Sequence, residues 1–316
     1  MKCMDDPIYD VPFFTFENLE RTGIVANAFT TKFYWKNGRG AGETINNFFQ
    51  PLLRVSSEPG EVSHCETLLK QQFNVKDGYL ISSAQKHTNN IYLITADDIE
   101  ASVKGNLHLE SIDGLITDIP GVMLETFGAD CPSVYIVDPV HKAIGLCHSG
   151  RKGTQTHIAA VMLEAMNKAY GTEPADVSAA ISPGICTNCY EVGDDVARDF
   201  AKDYKNKTGF MNPSSANVSS GHSDPYAAGR CHHAANNEID IVNANSSDVI
   251  SCLPHINGRY HIDLFHAINH SLIACGVNPD NIEVSHLCTR CRSDIFYSFR
   301  AEGKISNENC GLMMIK

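Results

Sequence analysis

Two neighbouring stretches of sequence decide the fold, TFGADCPSVYIVD at residues 126–138 and AIGLCHSGRKGT at residues 143–154. Each contains a short apolar run, Val134–Val137 in the first and Ala143–Cys147 in the second. The length of these runs and their lack of charge are typical of buried strands. The dipeptide Asp138-Pro139 between them indicates a turn. The two stretches therefore predict a pair of adjacent buried strands.

The ends of these two strands carry reactive side chains. In an antiparallel pair, the start of the first strand and the end of the second lie at the same end of the sheet. Cys131 and His148 are therefore expected to meet. The glycine-rich basic turn after His148 leads into an amphipathic helix, with Thr154 or Thr156 as its expected N-cap and Gly171 as its expected end. A thiol, an imidazole and a helix N-terminus thus converge at one candidate site.

The composition limits the class of protein. The 316 residues are 43% hydrophobic and 20% charged, which is enough apolar material for one large globular domain or two small ones. No stretch approaches the roughly 18 uninterrupted apolar residues of a membrane helix. Asp5 and Asp6 stand where a signal peptide needs an apolar core, so we expect a cytoplasmic protein without a membrane partner. The net charge of −12 argues against nucleic acid as a partner, but it allows a local basic pocket for one phosphate.

The chain contains 12 cysteines, which in the absence of an export signal are expected to be reduced thiols or metal ligands. Four of them form two CxxC motifs, Cys186–Cys189 and Cys288–Cys291. Two such motifs can form a closed structural zinc site or a redox pair. The gap between them is much longer than in a zinc ribbon, and buried thiols at strand ends are the favoured interpretation.

Strand and helix patterns are mixed along the chain without strict alternation, which favours the α+β class. In chain order, the expected features are a strand at 24–31, a glycine-rich loop at 35–42, a helix at 61–73, strands at 79–82 and 91–95, a strand pair at 113–118 and 122–127, a strand at 177–181, a helix at 191–206, a long polar loop at 207–258, a helix at 263–276, a strand at 282–287 and a final aromatic strand at 296–300.

Three residues at expected strand ends, His87, Cys131 and His148, are candidate metal ligands. Two imidazoles and a thiolate form a donor set suited to Zn²⁺. Three protein ligands leave the fourth position open, as catalytic zinc requires, and zinc lowers the pKa of a coordinated water to about 7. A second interpretation needs no metal: Cys131 is a nucleophile for acyl transfer, His148 is its base and Asp130 orients the imidazole.

Several motifs, in order along residues 24–303, resemble those of the YfiH-like laccase-domain family. Members of that family were first called polyphenol oxidases and were later described as purine nucleoside phosphorylases. The motifs are AFTT at 28–31, QKH at 85–87, DGLIT at 113–117, GADCP at 128–132, HSGRKG at 148–153, SPGI at 182–185, CYEVG at 189–193, IDL at 262–264, CT at 288–289 and FYSFR at 296–300.

The resemblance implies a layered α/β sandwich with mixed sheets, formed by a single catalytic domain over residues 1–316 with a polar insertion at about 207–258. It implies His87, Cys131 and His148 as both the zinc ligands and the catalytic residues. It also implies phosphorolysis of adenosine, inosine, guanosine and methylthioadenosine, with adenosine deamination as a second activity. The candidate residues for binding nucleoside and phosphate are Lys32, Asn46, Arg151, Lys152 and Arg300.

Some positions depart from the family's motifs. Arg151 stands where the family has Trp, Ser149 where it has Ala, and Lys32 where it has Arg. These changes leave the three proposed ligands intact and bear on purine selectivity. Whether the protein is a monomer or a homodimer stays open.

Three alternatives to the zinc phosphorylase are kept. The first is a copper-dependent polyphenol oxidase, but a laccase needs several coppers and many His-x-His pairs, and this sequence has none. Copper is therefore less favoured than zinc. The second is a cysteine hydrolase that uses Cys131 and His148. The third is a catalytically silent metal-binding protein.

Overall fold

Two mixed β-sheets and a layer of helices form the framework. The computed structural model describes residues 2–4, 13–34, 43–44, 70–206, 253–255, 259–303 and 307–316. In chain order the strands are β1 (Lys2–Met4), β2 (Phe13–Thr15), β3 (Val25–Thr30), β4 (Phe33–Tyr34), β5 (Glu43–Thr44), β6 (Leu80–Ile81), β7 (Ile91–Leu93), β8 (Gly114–Thr117), β9 (Met123–Gly128), β10 (Ser133–Asp138), β11 (Ala143–His148), β12 (Ser178–Ile181), β13 (Glu191–Gly193), β14 (Leu253–His255), β15 (Arg259–His261), β16 (Ile282–Val284) and β17 (Asn309–Ile315). The α-helices are α1 (Glu17–Arg21), α2 (Ala96–Val103), α3 (Arg151–Gln155), α4 (Ile158–Tyr170), α5 (Asp194–Asn206), α6 (Leu264–Ala274) and α7 (Phe299–Glu302).

The first sheet has the strand order β1-β2-β3-β17-β9-β6, and the second has the order β16-β12-β10-β11-β8-β7. Each sheet is mainly antiparallel and includes parallel pairs, β6 with β9 in the first and both β7 with β8 and β12 with β16 in the second. A small sheet, β13-β15-β14, and the pair β4–β5 complete the described strands. The α+β class with mixed sheets is confirmed.

The second sheet is apolar on both faces, because the first sheet covers one face and helices cover the other. Tyr135 and Val137 of β10 pack in the core between the two sheets. Val134 and Ile136, which point the opposite way, pack against apolar side chains of α4 and α6. A strand buried on both faces is apolar at every position, and this explains the uninterrupted apolar runs that identify β10 and β11 in the sequence.

The pairing of β10 with β11 is antiparallel, as predicted, and places Ser133 opposite His148. The expected strands at 24–31, 79–82, 91–95, 177–181 and 282–287 are also present, as β3, β6, β7, β12 and β16. Gly171 ends α4 in the left-handed region at φ 78°, and Asp263 caps α6 by accepting a hydrogen bond from the His266 N–H.

The predicted N-caps at Thr154 and Thr156 are wrong. A separate short helix, α3, begins at Arg151, so Thr154 lies within it and Thr156 is its C-cap. The next helix, α4, begins at Ile158 after His157, which has a φ of 57°. Two helices therefore stand where one was expected, because the left-handed residue between them interrupts the helical backbone.

The strands expected at 113–118 and 122–127 are present as β8 and β9, but their predicted pairing with each other is wrong, because they lie in different sheets. The turn at Pro120-Gly121 carries the chain from the second sheet to the first.

Residues 191–206 begin as strand β13 and become helical only at Asp194. Residues 296–300 are not a strand: Ser298 caps α7, and the last strand is β17, in the middle of the first sheet.

Several expected features lie outside the described residues. They are the glycine-rich loop at 35–42, Asn46, the part of the helix at 61–73 that precedes residue 70, and most of the polar segment at 207–258. Within the part of the chain that the structure describes, no helix combines the length and the apolar character needed to cross a membrane.

Gly311 in β17 allows a polar contact layer between the sheets. A Cβ at this position would lie 2.8 Å from the hydroxyl oxygens of Thr126, Ser133 and Tyr135. Thr126 and Ser133 hydrogen-bond each other at 2.9 Å, and the Tyr135 hydroxyl donates to the Ala28 carbonyl at 2.7 Å. We therefore expect Gly311→Ala to lower the free energy of unfolding by about 1–3 kcal/mol through overpacking, as measured by urea denaturation.

The matched control for this change is Gly145→Ala, in β11. Its Cβ would contact the flexible side chains of Met162 and Met166 at 2.9–3.1 Å. Methionine side chains adapt to such changes more readily than a hydrogen-bonded tyrosine. The control is therefore expected to cost less stability, and an equal or larger cost would contradict the assignment of Gly311 to a rigid polar layer.

Candidate functional site

The structure brings His87, Cys131 and His148 together. Their donor atoms all lie within 4.8 Å of one another. The distance from Cys131 Sγ to His87 Nε2 is 3.9 Å, and the two imidazole rings are 4.7 Å apart, nearly perpendicular. His148 ends β11 and Cys131 precedes β10, so the antiparallel register places both at one end of the second sheet. His87 reaches them from the loop between β6 and β7.

A buried carboxylate, Asp113, holds both histidines. It accepts hydrogen bonds from His148 Nδ1 at 2.9 Å and from the backbone N–H of His87 at 2.9 Å. It also accepts from the backbone N–H groups of Lys86 and Thr88 and from the Thr88 hydroxyl, at 2.7–3.1 Å. His87 has a φ of 60°, a conformation unusual for a non-glycine residue, and the three N–H contacts hold this turn in place.

The Asp113 contact determines which nitrogen of His148 is available. Because Nδ1 donates its hydrogen to the carboxylate, the neutral ring keeps its lone pair on Nε2, the nitrogen left to act as a ligand or base. Burial raises the pKa of the Asp113 carboxyl, but the hydrogen bonds from His148 and Thr88 outweigh it and hold the pKa well below its usual range. Asp113 is therefore a permanent acceptor for His148.

Cys131 and His148 influence each other's protonation. Burial raises the pKa of the Cys131 thiol, but the charge of His148 and hydrogen bonds with His148 and His87 outweigh it and lower this pKa to about 7. Burial lowers the pKa of His148, whereas the charge of Cys131 and the hydrogen bond to Asp113 raise it to about 10. Cys131 thus has the thiolate character that both a metal ligand and a nucleophile need.

Asp130 does not orient His148, so that part of the metal-free interpretation is wrong. Its carboxylate instead accepts three hydrogen bonds, from the hydroxyls of Thr289 and Ser298 and from the Arg300 N–H, each at 2.7 Å. Its carbonyl accepts from the Ile185 N–H, also at 2.7 Å. Asp130 has a φ of 98°, and these contacts fix the sharp turn that presents Cys131.

Gly150 closes one side of the three-residue site. A Cβ on Gly150 would lie 2.7 Å from His87 Cδ2, 2.8 Å from Cys131 Sγ and 3.3 Å from His148 Cε1. The backbone of Gly150 has a φ of −69°, which any residue adopts, so glycine is needed here for space and not for conformation. The absent side chain leaves room for the three donors to converge.

We expect Gly150→Ala to weaken zinc binding by about 10–100-fold, because the new methyl group pushes on all three donor side chains. The measurement is a titration of the metal-free protein against a competing chelator of known affinity. Gly153→Ala is the matched control in the same helix, since its Cβ would only approach neighbouring atoms at 3.3–3.4 Å. Equal affinities for the two variants would contradict the assigned role of Gly150.

The donor set fits a metal ion. One thiolate and two imidazoles are common zinc ligands, and three such donors within 4.8 Å can be drawn onto one tetrahedral ion. His148 is buried, Cys131 is half-buried and His87 is exposed, so the site opens to solvent on the His87 side. Ligand access from that side is consistent with a catalytic rather than a closed centre.

Of the other candidate residues, Arg300 and Arg151 lie near Tyr190, beside the three-residue site. The Arg300 guanidinium lies 5.4 Å from the centre of the Tyr190 ring and donates to the carbonyls of Cys189 and Glu191. Burial and the charge of Cys131 raise the pKa of Tyr190 to about 12, although the charges of Arg151 and Arg300 oppose this.

The remaining candidates have different surroundings. The Arg151 guanidinium donates to Gln155 at 3.2 Å within α3. The Lys32 ammonium donates a hydrogen bond to the Ser293 carbonyl, and the backbone N–H of Lys32 donates to the Ile295 carbonyl at 2.9 Å. Lys152 is exposed, next to Arg151.

Sequence reasoning missed three residues of this site, Asp113, Gly150 and Tyr190. Each stands inside a quoted motif, DGLIT, HSGRKG or CYEVG, but no spacing rule indicated what it contacts. A buried aspartate at the start of an apolar strand was the one available signal for Asp113, since such a carboxylate requires partners.

A family model described as "Multi-copper polyphenol oxidoreductase laccase" matches residues 39–235 and 224–316. The chain belongs to this family. It is 30% identical over 247 residues to "Purine nucleoside phosphorylase" from Bacteroides thetaiotaomicron, which covers 78% of this chain and 77% of the relative. It is 28% identical over 253 residues to "Adenosine deaminase RL5" from an unknown prokaryotic organism, covering 79% of this chain and 80% of the relative.

Two solved structures share the fold of this chain. The Bacillus licheniformis protein YfiH superposes with a TM-score of 0.72 at 25% identity, over 99% of this chain and 98% of that one. YlmD from Geobacillus stearothermophilus superposes with a TM-score of 0.69 at 23% identity, over 92% of each chain. The predicted membership of the YfiH-like laccase-domain family is confirmed.

Proposed function

We propose that this protein is a zinc-dependent purine nucleoside phosphorylase that acts on adenosine, inosine, guanosine and methylthioadenosine. The observation that carries the proposal is the convergence of His87, Cys131 and His148, with Asp113 fixing the His148 tautomer. The names of relatives at 28–30% identity support the reaction class. The proposed partners are a purine nucleoside and inorganic phosphate.

In this proposal, His87, Cys131 and His148 hold the ion. Zinc, when bound, supplies Lewis-acid chemistry at the open side of the site. Asp113 keeps His148 Nδ1 protonated, so that Nε2 faces the centre. Gly150 has no side chain, which leaves room for the three donors to converge.

Two guanidinium groups beside the centre are proposed to bind phosphate. The charges of Arg151 and Arg300 lower the pKa of Tyr190, and the charge of Cys131 raises it, so all three side chains lie close enough to Tyr190 to influence it. This local positive charge stands out in a chain with a net charge of −12, and guanidinium groups suit the planar recognition of phosphate oxygens. Lys152 and Lys32 are proposed as more distant contributors to the positive field.

Tyr190 is proposed to form part of the purine pocket. Its ring is half-buried, and one side of it is next to the Arg300 guanidinium. An aromatic face beside a phosphate-binding arginine can stack on a purine while the ribose lies over the phosphate. Asn46, whose position is not described, is proposed as a further substrate contact on the basis of the family motif.

The test is phosphate-dependent release of free base from adenosine, inosine, guanosine and methylthioadenosine by zinc-loaded protein, with phosphate omitted as the control. We expect release only with phosphate, and we expect chelation to abolish it and zinc to restore it. Release that survives chelation but not alkylation of Cys131 would instead support a cysteine hydrolase. Protein that holds zinc but releases base from none of the four would support a silent metal-binding protein.

Adenosine deamination is proposed as a second activity of the same site, because a relative at 28% identity is named an adenosine deaminase. Attack of an activated water on C6 of adenine is chemistry that a zinc site supports. The test is inosine and ammonia formation from adenosine without phosphate. A polyphenol oxidase would instead consume oxygen with a phenol, and only in copper-loaded protein.

A further inference from the structure

Four cysteines outside the proposed active site converge on one point. The sulfur atoms of the four, which come from the two CxxC motifs, all lie within 4.8 Å of one another. The Sγ–Sγ distance between Cys189 and Cys291 is 3.3 Å, well beyond the roughly 2.05 Å of a disulfide bond. The four residues are Cys186, Cys189, Cys288 and Cys291.

Backbone pairing brings the two distant motifs together. Gly184 forms an isolated parallel bridge with Cys288. The Gly184 N–H donates to the Leu287 carbonyl at 3.1 Å, and the Thr289 N–H donates to the Gly184 carbonyl at 3.0 Å. The convergence of the cysteines is therefore a consequence of the fold and does not depend on side-chain rotation alone.

The surroundings of the sulfurs favour thiolates. Backbone N–H groups of Cys186 and Cys291 point at Cys288 Sγ, at 3.3 Å and 3.4 Å. The Arg290 side chain hydrogen-bonds the Cys189 sulfur and adds a positive charge. N–H donors aimed at a sulfur stabilise its charged form, which is the form that binds a metal. A disulfide would need neither these donors nor the second pair of thiols.

We propose that Cys186, Cys189, Cys288 and Cys291 form a closed tetrathiolate site for zinc, separate from the proposed active site. Four thiolates satisfy tetrahedral zinc completely and leave no position for substrate, so the ion is structural. Zn–S bonds of about 2.3 Å in a tetrahedron place the sulfurs about 3.8 Å apart. The Cys189–Cys291 separation of 3.3 Å lies close to this value, and none of the sulfur separations exceeds 4.8 Å, so small side-chain movements complete the site.

The tetrathiolate site would stabilise the segments behind the proposed active site. Cys189 precedes Tyr190, and its carbonyl accepts from the Arg300 guanidinium at 3.2 Å. Cys288 precedes Thr289, whose hydroxyl holds the Asp130 carboxylate at the turn before Cys131. Zinc at the four cysteines would thus fix the positions of Tyr190 and Thr289 without touching substrate.

The test is a Co²⁺ titration of the metal-free, fully reduced full-length protein, followed by its visible and near-ultraviolet absorption. We expect the intense sulfur-to-cobalt bands of a tetrathiolate centre in the wild type. Cys189→Ser and Cys291→Ser should lose these bands, and Cys131→Ala should keep them. The matched control is Cys275→Ser, because Cys275 is another half-buried thiol, located at the end of α6.

X-ray absorption at the zinc edge of the Cys131→Ala protein gives an independent readout. Its remaining zinc should show about four sulfur neighbours at about 2.3 Å and no nitrogen shell. The cobalt spectrum of the wild type tests the proposal without any substitution. The test therefore remains valid even if a serine variant misfolds. Folded, reduced wild type without tetrathiolate bands would overturn the proposal, as would a stable Cys189–Cys291 disulfide that reforms in place of metal binding.

Discussion

We expect Cys131→Ala to lose zinc from the proposed active site and to lower phosphate-dependent base release by about 10³-fold or more. The variant leaves only His87 and His148 as donors, whereas catalytic zinc is held by three protein ligands. Metal-ion catalysis contributes several kcal/mol, and each 1.36 kcal/mol corresponds to about a tenfold change in rate. The measurements are zinc content per chain and the initial rate of base release.

The control for Cys131→Ala is Cys275→Ala. Cys275 is also a half-buried thiol, but burial raises its pKa to about 11 and it caps the end of α6. This variant should keep both zinc and rate. If Cys131→Ala retained zinc at the active site and lost only its rate, the thiol would be a nucleophile and the zinc assignment would be wrong. An unchanged rate would exclude Cys131 from catalysis altogether.

The sequence predicts a strand reliably where the strand's own residues show an unbroken apolar pattern. β10 and β11 are buried on both faces, so their apolar runs are unbroken and their turn is short. β17 was missed, although it lies between β3 and β9, because NCGLMMI begins with polar Asn309 and contains Gly311. Asn309 is buried and bonds Gly128 and Tyr297, which no local pattern reveals.

Pairing between strands was less predictable than the strands themselves. β8 and β9 are neighbours in sequence and have a turn between them, yet each pairs with strands of a different sheet. A short connection permits a hairpin but does not require one, and the choice depends on which partners complete each sheet. The prediction also missed the short helix at Arg151–Gln155, which stands before α4.

In the candidate site, too, some residues could be predicted from local sequence and others depend on contacts between distant segments. The proximity of Cys131 and His148 follows from antiparallel geometry alone. His87 is predicted to join them because it is a histidine at a strand end and matches a family motif. The residues that hold them were not predictable, because Asp113 binds His87 and His148 across long sequence separations. Sequence patterns identify side chains that can react, whereas the partners that orient them become visible only when the chain is folded.

Asp113→Asn is expected to weaken zinc binding by about 10–100-fold while largely preserving the fold. The carboxylate accepts five hydrogen bonds, and an amide can accept on only one of its two sides. If the amide oxygen faces Thr88, the amide NH₂ group faces His148 Nδ1. The imidazole then has to move its proton to Nε2, the nitrogen that we assign to zinc.

Asp113→Ala should be more severe, because it leaves four buried or half-buried donors without an acceptor, namely His148 Nδ1 and the backbone N–H groups of residues 86–88. Removing one partner of a buried charged pair costs about 3–5 kcal/mol of folding free energy. We expect such a loss in urea denaturation of the metal-free protein, together with a loss of zinc binding. A destabilised Asp113→Ala variant that still bound zinc with wild-type affinity would contradict the positioning role.

Asp138→Asn separates positioning from general stability. Asp138 is also fully buried and accepts from His141 Nδ1 at 2.8 Å and from the N–H groups of Val140 and His141. It is the same kind of Asp–His pair, but at the other end of β10. Asp138→Asn should lower stability and leave zinc affinity unchanged, whereas Asp113→Asn should lower zinc affinity more than stability. A parallel loss of zinc affinity in both variants would mean that zinc binding follows overall stability and that Asp113 has no specific effect on His148.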